Sequence, residues 1–359
     1  MTILIVAGDP SGDLHGAHLA RELKKNGAKI SAIGGPLLKQ EADEFIEDLA
    51  SHAITGFWEP VAKLGFLLRL GLRLKTFIAE KKPSAVVCID YYGFNRHVLR
   101  FAKQAHVPAY YFISPQVWAS RPGRIAVLKQ LVQKMLVIFP FEETLYREAG
   151  VPVRFVGHPL LDLLPQPQAQ RALQPPFSIG LLPGSRSSEV KRHLPVFLEA
   201  LALIQARFPG SQALLFASAH LPDEAYAPAL GQAEIIRETG YERRRDLDLV
   251  LSSSGTATLE NALLGLPMVV VYKMSWLTYA IARALIRVKH IAMANLLADK
   301  ALVPELIQQD ATPQRVAQAA IEILSSAPHH AAIRQELLSL RRALGESGAV
   351  QRAAQEILR

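Results

Sequence analysis

The sequence predicts an α/β protein made of two Rossmann-like domains whose parallel sheets face each other across a cleft. Three observations predict it. Short, near-continuous apolar runs alternate with helical segments in the first half of the chain, the same rhythm returns in the second half, and a proline-rich stretch separates the two. Apolar runs without polar alternation belong to strands buried on both faces, the condition of a parallel sheet covered by helices. At 359 residues the chain is long for one core and ample for two.

The elements follow in order. "TILIVAG" (2–8) is a buried strand, and the turn "DPSGD" feeds a helix over 14–27. "AKISAIGG" (28–35) and "SAVVCID" (84–90) are further strands. A helix over 95–106 and the strand "PAYYFIS" (108–114) complete the first series. Residues 159–176 carry five prolines and read as an interdomain joint. Beyond it come strand "FSIGLLPG" (177–184), a helix over 193–208 and strand "QALLFAS" (212–218). Strand "DLVLSSS" (248–254), helix "TATLENALLG" (256–265) and strand "PMVVVYK" (267–273) complete the second series. From about 313 the tail reads as two helices. The predicted boundaries are 1–160, 177–325 and a helical end at 326–359, which is expected to pack back on the first domain or on a partner chain.

Composition narrows the function. Half of the residues are hydrophobic and one fifth charged, as in a folded globular protein. The lone cysteine, Cys88, lies in an apolar strand and fits a reducing compartment. The N-terminus lacks the basic, long-apolar pattern of a signal peptide, and no run reaches the roughly 18 apolar residues of a membrane span. A cytoplasmic protein is expected. The net charge of +8 favours anionic partners. Nucleic acid is disfavoured, because zinc-ligand spacing, an RNP signature and long basic tracts are all missing.

In open α/β sheets, ligands bind outside the carboxyl ends of the strands, so the residues just after each strand carry the information. "GDPSGD" (8–13) offers Gly8, Ser11 and Gly12, but Asp9 and Asp13 would repel a pyrophosphate. The loop lacks the dinucleotide spacing and suits a sugar hydroxyl or proton transfer better. "LPGSR" (182–186) behaves differently. Gly184 lets backbone approach a ligand, Ser185 gives a hydroxyl, and Arg186 gives a two-pronged donor at the positive start of a helix. The bland alternative is an ordinary turn with a surface arginine. "SSSGTATLEN" (252–261) is a second anion cradle, with free N–H groups and hydroxyls at a helix start. Glu260, a turn into that helix, is placed to accept from a ribose diol or to sit on a solvated face. Two such loops in one domain point to a nucleoside diphosphate.

The strings "AGDPSGD", "IDYYGFN", "SPQVWA", "FPFE", "VGHP", "LPGSRSSEV", "SSGTATLE" and "NLLADKALVPELIQ" occur in an order that resembles the lipid-A-disaccharide synthases, from about residue 3 to 310. The resemblance implies a GT-B glycosyltransferase. It would join UDP-2,3-diacylglucosamine to 2,3-diacylglucosamine 1-phosphate, with UDP and a β(1→6) disaccharide as products and no metal or other cofactor. Carried onto this chain, it assigns Gly184, Ser185, Arg186, Ser253, Gly255, Thr256, Glu260, Asn295 and Glu305 to the UDP side. It assigns Asp9, Ser11, Asp13, Asp90, Asn95, Gln116 and His158 to the acceptor side.

Three positions depart from the family pattern. Asp9 stands where glutamate is frequent, and Gly93 where some members carry a second acid. Ser120 also replaces an expected tryptophan. Transfer with inversion needs a base at the acceptor hydroxyl and stabilisation of the leaving UDP. The candidate bases are Asp9, Asp90, Asp13 and His158, with Asp9 first and Asp90, at the end of a buried strand, next. Asp13 and Asn95 are also suited to capping helices, and His158 to a plain loop role.

Acylated substrates call for an apolar landing surface. "GFWEPVAKLGFLLRLGLRLK" (56–75) pairs Arg69 and Arg73 on one face with leucines, Phe57, Trp58 and Phe66 elsewhere, as in an interfacial helix or a buried packing helix. A segment at 275–293, with Arg283 and Arg287, repeats the theme. Peripheral association with the anionic cytoplasmic face of an inner membrane is the expectation, and homodimerisation stays open. Three other readings compete: a UDP-N-acetylglucosamine 2-epimerase, a peptidoglycan-precursor N-acetylglucosaminyltransferase, and a catalytically silent sugar-nucleotide- or lipid-binding protein. The second lacks its expected "GGTGGH"-type loop here.

Overall fold

The computed structural model describes residues 1–50, 59–117, 123–169, 172–219, 221–237, 240–275, 279 and 289–359, with backbone alone over 59–64. Phe57, Trp58, Ser120, Arg283 and Arg287, singled out above, lie outside the described residues. The chain divides into two units: Met1–Asp162 with Leu344–Arg359, and Leu163–Ala343.

The first unit runs β1 (Thr2–Ala7), α1 (Pro10–Lys25), β2 (Lys29–Gly34), α2 (Pro36–Glu41), β3 (Glu44–Asp48), α3 (Glu59–Lys81), β4 (Ala85–Ile89) and α4 (Tyr92–Gln104). It continues through β5 (Ala109–Phe112), α5 (Arg124–Leu131), β6 (Lys134–Val137), α6 (Pro140–Glu148) and β7 (Val153–Phe155) to the single turn α7, which starts the unit boundary (Leu160–Leu163). Its seven strands are all parallel, in the order β3-β2-β1-β4-β5-β6-β7. Ile3–Ala7 and Val86–Ile89 are wholly shielded from solvent, as the unbroken apolar runs require. Each valine, leucine and isoleucine among them contributes about 1.5–3 kcal/mol of burial.

The chain winds from β1 outward to β3, then returns to the other side of β1 to begin β4. Strand order therefore reverses between β1 and β4, and the crevice beyond their carboxyl ends is the ligand-binding position of such a sheet. The register pairs Ala7 with Ile89, so the chain leaves the two strands side by side at Gly8 and Asp90.

The second unit runs β8 (Ser178–Leu182), α8 (Ser187–Arg207), β9 (Gln212–Phe216), β10 (Glu234–Ile236), β11 (Leu249–Ser253), α9 (Thr256–Leu263) and β12 (Met268–Tyr272). It ends with α10 (Met293–Ala298), β13 (Glu305–Ile307), α11 (Pro313–Leu324) and α12 (Ala327–Ala343). Its parallel sheet has the order β10-β9-β8-β11-β12-β13, so the reversal falls between β8 and β11.

The structure departs from the sequence reading in instructive places. Strands β3, β7, β10 and β13 are three to five residues long and carry charged residues, so they lack an apolar signature. The tail holds three described helices rather than two. Gly345 and Gly348, at φ of 91° and 92°, turn the chain in a left-handed conformation that other residues resist, and this ends α12. The last helix, α13 (Ala349–Leu358), belongs to the first unit, where it packs on α1 and pairs Glu356 with Lys134 at 2.7 Å. Asp162 caps it by accepting from the N–H groups of Gly348 and Val350.

Candidate active site

In the first unit the crevice is acidic, and its Asp9 and Asp90 are half-buried. Helix α1 starts at Pro10, earlier than its apolar pattern suggests, because Asp9 caps it: Asp9 Oδ1 accepts from Gly12 N at 2.6 Å, and proline suits the first helical position. Asp13 therefore lies inside α1 and caps a different helix. Its two oxygens accept from Gly35 N at 2.7 Å, Leu37 N at 3.0 Å and Leu38 N at 3.0 Å, the free donors at the start of α2. Both carboxylate oxygens of Asp13 are thus spent on backbone.

Asp90 follows β4 in a left-handed conformation, φ 41°, and Tyr91 repeats it at 43°. Two consecutive non-glycine residues in this region are costly and persist only where the surroundings impose them. Here Asn95 imposes them, donating to the carbonyls of Ile89 at 3.0 Å and Asp90 at 2.8 Å, while the Tyr111 hydroxyl also donates to Asp90 O. Asn95 thus braces the strand end from within the first turn of α4 rather than capping that helix. Gly8 is packed against the Tyr91 ring so closely that a Cβ there would lie 2.0 Å from it.

These constraints set the chemistry of the carboxyl groups. Burial, then the neighbouring Asp9 charge, pushes Asp90 up to about 7, against the opposing Tyr91 N–H. Burial also raises Asp9, opposed by Gly12 N–H and reinforced by Asp13. His158 is buried, stacked at a tilt on Phe139, and accepts at Nδ1 from Leu160 N at 3.2 Å. Burial and then His15 lower it to about 3, so it is neutral at neutral pH and a weak base. His15, absent from the sequence reading, is buried on α1 and lowered by burial and then His18 to about 4. Ser11 and Gln116 are exposed. A Cβ at Gly93 would meet nothing within 4 Å.

In the second unit the crevice is open and rich in donors. Gly184 has φ 124°, which favours glycine, and Arg186 is the extended residue before α8. Helix α8 begins at Ser187, well before the expected position 193, and so places Pro195 in its interior. The earlier start is secured by Glu189. Its carboxylate reaches back to Ser185 N at 3.2 Å, Arg186 N at 3.4 Å and Arg186 Nη1 at 3.1 Å. Donors of this kind at a helix start suit an anion. Beneath the loop, buried His193 ties it to the sheet: Nδ1 lies 2.8 Å from Pro183 O, and Nε2 accepts from Lys273 N at 2.9 Å. As a lone histidine on the apolar face of a helix, it gave no sequence signal.

After β11, Ser253 is buried, whereas Gly255 and Thr256 are exposed at the start of α9. Glu260 is 16% exposed and both of its oxygens are engaged, by Arg244 Nη1 at 2.7 Å and the Tyr241 hydroxyl at 3.2 Å. Arg244 escaped the sequence reading because "ERRRD" looks like a solvated charge run. Asn295 and Glu305 serve the loop between them: Asn295 Nδ2 donates to Val303 O and Glu305 Oε1, each at 2.8 Å. Glu305 also accepts from Ile291 N and Ala292 N, each at 3.0 Å. Both residues line a cavity together with His290, Pro304 and His329.

Comparison with known proteins bears on the family and the fold. Residues 3–358 match the family model for lipid-A-disaccharide synthetase. The lipid-A-disaccharide synthase of Syntrophus aciditrophicus is 42% identical, covering 98% of this chain and 96% of that one. That of Trichlorobacter lovleyi is 40% identical over 99% and 96%. Solved structures share the fold at low identity. A UDP-N-acetylglucosamine 2-epimerase from Neisseria meningitidis, bound to UDP-GlcNAc, superposes with a TM-score of 0.65 at 13% identity over the whole of both chains. The glycotransferase of kitacinnamycin reaches 0.65 at 16% identity, covering 99% and 98%. On the strength of the family match and the full-length relatives, the chain belongs to the lipid-A-disaccharide synthetase family.

Proposed function

We propose that the protein transfers the sugar of UDP-2,3-diacylglucosamine to the 6-hydroxyl of 2,3-diacylglucosamine 1-phosphate, with inversion, releasing UDP and the β(1→6) disaccharide 1-phosphate. The observation that carries the reading is the desolvated Asp9–Asp90 pair at the β1/β4 reversal, within a chain whose other reversal presents an arginine and two helix starts to an anion. Asp90 is the base. It takes the hydroxyl proton as the oxygen bonds to the anomeric carbon, while the electron pair of the breaking carbon–oxygen bond leaves on the diphosphate. A carboxyl group poised near 7 matches neutral operation. Asp9 raises it and caps α1, and Asp13 caps α2. Arg186 and the starts of α8 and α9 receive the charge that develops on UDP.

The acyl chains require the protein to meet a membrane surface. Helix α3 buries Leu70, Leu74 and Ile78 and leaves Leu68 60% and Leu72 67% exposed beside the exposed Arg69 and Arg73. Exposed leucines flanked by cations suit the interface of an anionic leaflet. Among the described residues, no helix is long and apolar enough to cross a membrane.

The test is UDP release from the diacylated donor in detergent or vesicles, with and without the acceptor phosphate. Acceptor-dependent UDP with a disaccharide phosphate product is the expected result. UDP binding without acceptor-dependent release would overturn the proposal in favour of a silent binding protein.

A further inference from the structure

Arg244 is a buried cation in a surface-like sequence. It sits on the short helical turn Arg244–Asp246 ahead of β11 and is 7% exposed. Burying a guanidinium is costly unless its donors are matched. All the side-chain bonds found for this one go to α9: Nη1 to Glu260 at 2.7 Å, Nε to Asn261 Oδ1 at 2.9 Å and Nη2 to Ala257 O at 3.2 Å. Asn261 pays for this grip. Its oxygen turns to Arg244 and its buried Nδ2 is left without a partner. Tyr241, whose ring lies 5.6 Å from the guanidinium, holds the other Glu260 oxygen.

The consequence lies in what remains of Glu260. A carboxylate offers about four acceptor positions. One donor on each oxygen fixes the plane of the group and leaves a lone pair free on each. Glu260 is thus a rigid two-point acceptor, slightly exposed, about one turn from the helix start that carries Gly255 and Thr256. A vicinal diol is the complementary donor.

We infer that Arg244 and Tyr241 are positioning residues that lock Glu260 to read the 2′- and 3′-hydroxyls of a nucleotide's ribose, so that this site selects ribonucleotides over 2′-deoxyribonucleotides. The inference rests on the reading of the second unit as the nucleotide site. A lone, mobile glutamate would lose rotamer entropy on meeting the diol, whereas a pre-held one does not.

The experiment is calorimetric titration of the full-length protein with UDP and with 2′-deoxy-UDP. The wild type is expected to prefer UDP by about tenfold or more, the loss of one charge-assisted hydrogen bond. In Arg244→Met that ratio falls towards one, through loss of UDP affinity rather than gain for the deoxy ligand. In steady state, KM for the UDP-sugar rises by a larger factor than kcat falls. Tyr241→Phe removes only the hydroxyl and lowers the ratio partially, which keeps the test open if Arg244→Met fails to fold. Arg244→Lys restores part of the ratio. Equal loss of both affinities in the variants would mark a structural ion pair and overturn the inference. So would a wild type that binds UDP and 2′-deoxy-UDP alike, with the nucleotide reading left standing. Failure of the wild type to bind UDP would instead overturn the nucleotide reading, and the inference with it.

Discussion

The crevices at the β1/β4 and β8/β11 reversals occupy the same topological position and are built for opposite electrostatics. In the first unit, the half-buried Asp9 and Asp90 lie just beyond two adjacent strand ends, where Gly8 packs on the Tyr91 ring and the backbone is left-handed at Asp90 and Tyr91, with buried neutral histidines in the same unit. In the second, Ser185, Arg186, Gly255 and Thr256 stand in solvent at two helix starts. Burial is what tunes a proton acceptor, because it penalises the charged form; openness is what admits a diphosphate, because the ligand brings its own charge to fixed donors. On the proposed reading, one fold would supply both requirements of a sugar transfer by varying the loops and their burial.

The sharpest way to break this contrast is Asp90→Asn. Turnover should fall by about 10²–10⁴-fold, the usual contribution of a general base, with UDP affinity unchanged. In the wild type, kcat/KM should climb as pH rises through about 7, where Asp90 loses its proton. The same substitution tests the energetic side. The folded protein holds that proton up to about pH 7, whereas the unfolded chain releases it near the ordinary value of 3.8. Asp90 therefore costs increasing stability between those values, and Asn should raise the melting temperature at pH 8 but not below pH 4. A normal rate in Asp90→Asn, measured by UDP release, would remove Asp90 from the mechanism.

A smaller effect is expected at the open site. Arg186→Ala should weaken UDP binding by about 10–100-fold, the value of a charge-assisted contact, and flatten its salt dependence in calorimetry. The intramolecular competitor sharpens the point. Glu189 already occupies the Ser185 and Arg186 donors, so on the proposed reading a phosphate would have to displace it. Wild-type affinity in Arg186→Ala would mean that the helix starts alone hold the diphosphate.

The smallest effect concerns Gly93, where some members of the family carry an acid. The position is open, so Gly93→Asp fits without clash. With Asp90 as base, the rate should change less than about threefold, far below the usual range for gaining a catalytic base. A gain of tenfold or more would show that the proton acceptor belongs on α4 and that the half-buried Asp9–Asp90 pair is not the active one.

The sequence by itself determined the two parallel sheets and the loops to inspect. Unbroken apolar strands, proline clustering and glycine–hydroxyl–arginine strings are local features that need no partner to be read. It also placed Asp9, Asp90, Arg186 and Glu260 at strand ends or helix starts. Only the tertiary structure decided what each of them does. Asp13 caps a helix more than twenty residues away, Asn95 braces a strained strand end, and Asn295 with Glu305 holds a loop. His193 anchors the arginine loop to β12, and Arg244 turns inward from a charge run to grip α9. Those roles rest on burial and on hydrogen bonds between segments distant in the chain. Residue type limits the bonds a side chain can make, and packing selects which of them form.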